Sequence, residues 1–408
     1  TITVLAGGSG VQAIDGNIVL DANGQNADVD VAAAIGTSNT GGVTITADDS
    51  VTFTAAGDVT ASGAGNVSVT ANTTDTNGDS DDDIFMADGA VINAGSGTIT
   101  LSAVGTNGGN ITLGSVTTAN ATGSAVAIST SAGVIDGGDS QVDIVANSPG
   151  AVVTIDAVSG VGSANDLETT VAAIDVDNTT SGNIDIDETD AITILQLDND
   201  TPADDNGATG RIQVIADGTI TVEDSGASPA GSGVTAIDGN INLQADGQNS
   251  DVIVENVIQT SNDDTNDVVS ITISADDSVE FTAAGDVTGT SEVNITVIAN
   301  QATSNGDSDD DIFMADGAVI NAGSGTITLS AVGTNGGNIT LGSLTTTDNT
   351  ASAVTIATAA GVIDGGDLDV DIVANTAGAV VTIDAVSGVG SGNALETTVA
   401  TLDVDNTL

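Results

Sequence analysis

Nine consecutive residues, Asp75-Thr76-Asn77-Gly78-Asp79-Ser80-Asp81-Asp82-Asp83, set carboxylates at alternate positions of a Gly-containing bend, and the pattern returns from Asn305 to Asp311. Alternating carboxylates on a turn can converge hard oxygen atoms on Ca2+, which takes about six to eight of them. Asp79, Asp81 and Asp83, with Asp307, Asp309 and Asp311, are therefore the candidate metal ligands, and Ca2+ is the one candidate cofactor. The competing reading is a solvated acidic loop with no ion.

Measured against an EF-hand-type calcium loop, the stretch has the acidic first half but lacks the Gly at the sixth position and the distal bidentate Glu. Asp75 also becomes Thr303 in the second copy. Other acidic groups, Asp48/Asp49 with Asp276/Asp277 and Asp136/Asp139 with Asp364/Asp367, read as turn residues whose side chains accept from local backbone amides. Catalytic chemistry has little to work with. The chain has no Cys and no His, and Arg211 is its one basic residue, so it holds no thiol or imidazole base, no Schiff-base lysine and no P-loop ammonium. Paired carboxylates could do acid–base work on a sugar, but an anionic substrate would meet a wall of like charge. The expectation is that this is not an enzyme. Thr-x-Thr pairs such as Thr44/Thr46, Thr52/Thr54 and Thr98/Thr100 raise the idea of an ice- or mineral-binding face; Thr is also simply a good outward-facing strand residue, and that reading is preferred.

Composition narrows the class further. The 408 residues carry 58 Asp plus Glu against that single Arg, a formal net charge of -57, which excludes nucleic acid as a partner and disfavours anionic lipid. No run of about 18 apolar residues exists, so no membrane insertion is expected. Aromatic residues are 1% of the chain, so large cores built on Phe, Tyr and Trp are ruled out and burial must be spread over Val, Ile, Leu and Ala. Disorder, which acidity with few aromatics can signal, is opposed by dense Val/Ile alternation. Carboxylates in this number repel unless screened, which points to a saline or divalent-rich medium and to cation-bridged lateral contacts.

These groups must be positioned by something repetitive. Residues 77 to 115 recur unchanged at 305 to 343, a shift of 228, and Leu167-Glu168-Thr169-Thr170-Val171 returns as Leu395-Glu396-Thr397-Thr398-Val399. Thr1-Ile2-Thr3-Val4 aligns with Thr219-Ile220-Thr221-Val222, giving a first copy over 1–218 and a second, truncated copy over 219–408. Leu408 matches Thr180, so the polypeptide or its assembly is expected to continue past both ends. Within a copy, segments such as Val43-Thr44-Ile45-Thr46, Val51-Thr52-Phe53-Thr54, Val67-Ser68-Val69-Thr70 and Ile184-Asp185-Ile186-Asp187 alternate apolar and polar residues, the period of a β-strand. Gly, Asn, Asp and Ser clusters separate them and favour tight bends. Val43 to Asn66 reads as one complete turn of a coil, with strands near 43–46, 51–54 and 59–61 forming three sides. The fold class expected is all-β, a parallel β-helix (β-solenoid) forming an elongated rod, with rungs of roughly 20 to 24 residues stacked about 4.8 Å apart. The alternative is tandem β-sandwich modules of about 110 residues.

The stretches VTITADDSVTFTAAGDVTASG (43 to 63), IFMADGAVINAGSGTITLSAVGTNGGNITLGS (84 to 115) and LETTVAAIDVDNTTSGNIDI (167 to 186) resemble the giant β-strand-repeat surface proteins of Gram-negative bacteria, akin to filamentous haemagglutinin-like adhesins. The resemblance covers most of the chain and implies a right-handed parallel β-helix, export to the cell surface, and a role in adhesion, biofilm matrix or filaments. The expected function is a non-catalytic extracellular structural segment that self-associates end to end or continues as one giant chain. The alternative is the stalk of a large adhesin whose binding module lies outside these residues.

Overall fold

A computed structural model of the chain describes all residues except 74–81, 106–107, 139, 163–164, 201–209, 224–232, 263–267, 301–309, 334–335, 367–368, 391–392 and 408, and also omits the side chains of Asp82 and Asp310. The described residues contain β-strands and no helix. Two compact units are present, Thr1–Thr189 and Asp190–Leu408.

In the first unit each turn of the backbone lays down three short strands before the next turn begins above it. One side is built from Ile2–Val4, Val29–Val31, Val51–Phe53, Asp82–Met86, Gly108–Leu113 and Val134–Asp136, each pairing with the next. The second side runs through Val11–Ala13, Ile35–Thr37, Val59–Ala61, Val91–Asn93, Ser115–Thr117, Ile144–Ala146 and Leu167–Val171. The third runs through Ile18–Ala22, Val43–Ala47, Val67–Thr70, Ile99–Ala103, Val126–Thr130, Val153–Ala157 and Ala173–Asn178. The second unit repeats the plan. Its longest column passes from Ile212–Ala216 through Ile241–Ala245, Val269–Ala275, Val293–Ile298, Ile327–Ala331, Val354–Thr358 and Val381–Ala385 to Leu402–Asn406.

Each unit is thus a parallel β-solenoid. Tandem β-sandwich modules require antiparallel ladders, but all the pairings of these strands are parallel, and the antiparallel exception among the described residues is an isolated bridge, Glu292 to Gly323. The expected turn from Val43 is present, with Val43 stacking on Val67. Rungs longer than 20 to 24 residues also occur: Val67 stacks on Ile99 and Ile99 on Val126. The extra residues leave at corners, where lengthening a loop carries little entropic penalty.

The period of two dictates the interior. Val43, Ile45 and Ala47 point inward and are buried while Thr44 and Thr46 are half-buried outside, and the in-register partners Val67 and Val69 repeat the arrangement one rung on. Burying one such aliphatic side chain is worth about 1.5–3 kcal/mol, so the core is a stack of thin layers. The few large side chains follow the same column: Val31, Phe53 and Met86 are consecutive inward neighbours, all buried.

Corners are held by a recurring device. An Asn or Asp just before a strand accepts the amide of the corresponding residue one rung on. Asn66 Oδ1 takes the Thr98 N–H at 3.0 Å, Asp58 Oδ1 takes Val91 at 3.1 Å, and Asp251 Oδ1 takes Ser278 at 3.1 Å. The side chain satisfies an amide that the turn leaves unpaired.

Candidate functional site: two buried carboxylate clusters

Asp136 closes the strand Val134–Asp136, Asp143 precedes Ile144–Ala146, and Glu168 lies in Leu167–Val171, which stacks on Ile144–Ala146. Asp136 and Asp143 flank one corner of a single turn and Glu168 lies on the next, and one carboxylate oxygen from each lies within 4.8 Å of the others. The same trio recurs 228 residues later as Asp364, Asp371 and Glu396. Asp143 and Asp371 are each 2% exposed, and Asp136 and Asp364 5%.

Local hydrogen bonds explain much of the placement. Asp136 Oδ2 accepts from the Gly138 amide at 3.0 Å and from Asn165 Nδ2 at 2.9 Å. The Glu168 amide donates to Asp143 Oδ2 at 3.2 Å while the Asp143 amide donates to the Glu168 carbonyl at 2.9 Å. In the second cluster Gly366 donates to Asp364 Oδ1 at 3.0 Å and Glu396 donates to Asp371 Oδ2 at 2.7 Å. What these bonds leave over is one glutamate oxygen in each cluster: Oε2 of Glu168 and Oε2 of Glu396 are sealed from solvent without a hydrogen-bond partner.

Three carboxylates this close cannot all stay ionised without compensation. Burial first, then the charges of Asp136 and Glu168, push the Asp143 carboxyl up to about 9. Glu168 is also raised, by burial and then by Asp136. A proton retained on Asp143 turns an acceptor into a donor towards Glu168 and gives the sealed region its missing hydrogen. A hard cation could be held by the same atoms; three protein oxygens fall short of the six to eight that Ca2+ takes, so water would have to complete the shell.

The expected ligands divide. Asp79, Asp81, Asp307 and Asp309 lie outside the described residues. Asp83 and Asp311 are described, and each is committed to the rung above: Asp83 Oδ1 accepts from Asn110 N at 2.6 Å and Asp311 Oδ1 from Asn338 N at 2.5 Å. Asp139 and Asp367 are also outside the described residues, whereas Asp136 and Asp364 bond turn amides as expected. Asp143, Glu168, Asp371 and Glu396 are not among the candidates that the sequence pattern nominates, although the aspartates stand in a repeated Val-Asp-Ile-Val-Ala-Asn and the glutamates in a repeated Leu-Glu-Thr-Thr-Val.

Among the described residues no helix is long and apolar enough to cross a membrane. Compared with known proteins, the chain matches no family model, no curated protein and no solved structure.

Proposed function

We propose that this chain is a non-catalytic structural protein, a β-solenoid segment of an extracellular surface filament or matrix fibre. The observation that carries the reading is the ladder itself. In each unit consecutive rungs are joined by in-register parallel hydrogen bonds, so every added rung extends the same columns, and the repeat spends its sequence on stacking. An array of this kind transmits load along its hydrogen-bond columns and displays the same outward surface at each step. The charge fits that role. A chain with 58 acidic residues and one Arg repels its neighbours sideways until cations bridge them, and it offers nucleic acid no docking surface. Ca2+ at the 79–83 and 307–311 stretches belongs to the same reading, as does end-to-end self-association or continuation into further repeats.

Electron microscopy with fibre diffraction tests the proposal. Regular polymers with a meridional spacing of about 4.8 Å support the filament. Isolated tapered single rods would support the adhesin stalk, and compact particles would overturn both.

A further inference from the structure

Two of the four Phe turn away from the core. Phe53 and Phe281 are buried, whereas Phe85 and Phe313 stand on the outer face at 44% and 45% exposure. Strand alternation puts them there: Ile312 and Met314 point inward, so Phe313 between them points out. A Thr would serve the strand as well, as Thr340 does in register on the adjoining rung. Phe nevertheless occupies the position in both copies, inside the segment that recurs unchanged.

Around Phe313 the second unit builds an open cleft of about 310 Å³, lined by Asp251, Asp277, Ser278, Glu280, Asp311 and the Phe itself. Glu280 is exposed and pairs in register with Phe313, one rung of about 4.8 Å away. Asp311 stands two residues before Phe313 and so on the same face of the strand. Bonds between rungs hold the walls in place. Asp251 Oδ1 accepts the Ser278 amide at 3.1 Å, Ser278 Oγ accepts the Asp311 amide at 3.1 Å, and Asp311 Oδ1 accepts the Asn338 amide at 2.5 Å. Four carboxylates and one aromatic ring thus line a single concave surface.

That combination selects its ligand. The carboxylates repel anions, the face of the ring attracts cations, and a compact metal ion would leave the ring unused. A guanidinium engages both: it is planar and weakly hydrated, stacks on an aromatic face, and turns its N–H groups towards carboxylates in its own plane. A copy of this chain could bring only Arg211, so the arginine has to come from a different, basic polypeptide. We propose that this cleft binds an arginine side chain of a basic partner polypeptide, and that Phe85 marks a weaker counterpart in the first unit, where Thr52 pairs in register in the place of Glu280. The site is independent of the filament reading, since a stalk would carry it equally.

The test is an NMR titration of the full chain, at fixed ionic strength, with N-acetyl-arginine amide and with its neutral isostere N-acetyl-citrulline amide. The chain has no Tyr, Trp or His, so its aromatic signals come from four rings, and the buried Phe53 and Phe281 serve as internal references. Arginine should shift the Phe313 and Phe85 rings saturably, Phe313 first, and leave the buried rings unmoved. Glu280→Thr should bring the Phe313 site down to the affinity of the Phe85 site. Phe313→Ala leaves the net charge unchanged and should weaken binding, followed at the Glu280 amide, by about two- to five-fold. Equal shifts with citrulline, no shift at either exposed ring, or undiminished affinity in Phe313→Ala would each overturn the site, the last by reducing it to diffuse attraction between cations and carboxylates. An equal response to N-acetyl-lysine amide would overturn the choice of guanidinium. A blocked Gly-Arg-Gly peptide should bind at least as tightly as the single residue, and weaker binding would overturn the polypeptide partner.

Discussion

Raising the pH should weaken the rung at Asp143, and the size of the effect follows from its surroundings. Its carboxyl lies at about 9 in the folded chain against 3.8 for an unperturbed aspartate. The folded state therefore binds a proton that the unfolded state has released throughout this window. A raised carboxyl contributes stability that is fully present below the unfolded value and is lost as pH climbs towards the folded one. One proton corresponds to about 1.4 kcal/mol per pH unit, so between about pH 5 and 8 the upper bound is about 4 kcal/mol. Solvent reaching the partly exposed Glu168 lowers the expected figure to roughly 2–3 kcal/mol. Asp143→Asn removes the titrating group while keeping an N–H donor for Glu168, so the difference between wild type and variant isolates this site from the general repulsion among carboxylates. Local hydrogen exchange at Val145 and Val171, corrected for intrinsic rates, is the suitable assay because two units need not unfold as one. Wild type should lose protection relative to the variant as pH rises from 5 to 8. A constant difference, or one of opposite sign, would refute the shared-proton account.

Ile45 is fully buried between Leu20 and Val69, so Ile45→Ala should destabilise the first unit by about 2–5 kcal/mol in urea denaturation, while Thr44→Ala on the outer face should stay within about 0.5 kcal/mol. A Cβ at Gly63 would be driven into the Asn39 carbonyl of the rung below, so Gly63→Ala should lower the melting temperature well beyond a surface substitution, read by circular dichroism. Chelation at low ionic strength should lower the melting temperature if Ca2+ or salt screening supports the fold, and replacing Asp79, Asp81 and Asp83 together with Asn should weaken calcium binding in calorimetry; an unchanged melt removes the ion, and undiminished binding moves its site elsewhere.

The fold was legible because one local rule generates it. Alternation of β-branched and polar residues sets the inside and outside of each strand, and clusters such as Ala56-Gly57-Asp58 mark the bends, so the turn from Val43 could be read off and its closure on Val67 is observed. Rung length was less legible, since a corner can swell without disturbing the columns it joins. The carboxylate clusters were hardest to see. Asp136, Asp143 and Glu168 are scattered along the sequence: Asp136 and Asp143 flank one corner of a single turn, and only the stacking of the next turn brings Glu168 to them. Asp136 looked like an ordinary turn residue and is one, bonding Gly138; its second role depends on neighbours that no local pattern identifies. Recurrence of all three at the same shift was the available signal.

The corner brackets separate what the acidic residues do for folding from what their charge does. Asn66, Asn110 and Asn294 hold the next rung through the same kind of amide bond as Asp58, Asp251 and Asp286. A neutral oxygen therefore serves as well as a charged one, and the bond alone cannot explain a net charge of -57. On the flat sides the charge is a burden: Asp156 stacks in register on Asp177, and Asp175 is raised by burial and then by these two neighbours. Elsewhere the outer positions favour Thr, as in the column Thr272, Thr296, Thr328, Thr355 and Thr382, which spares the sheet a like charge at every rung. Its flanking column reads Ser274, Ile298, Ser330, Ala357 and Asp384, so this face carries no regular double row of Thr. Acidity is thus kept at corners where an amide serves the same bond and thinned on the flat sides where stacking would suffer, so the excess of carboxylates has a cause other than the fold's own hydrogen bonding.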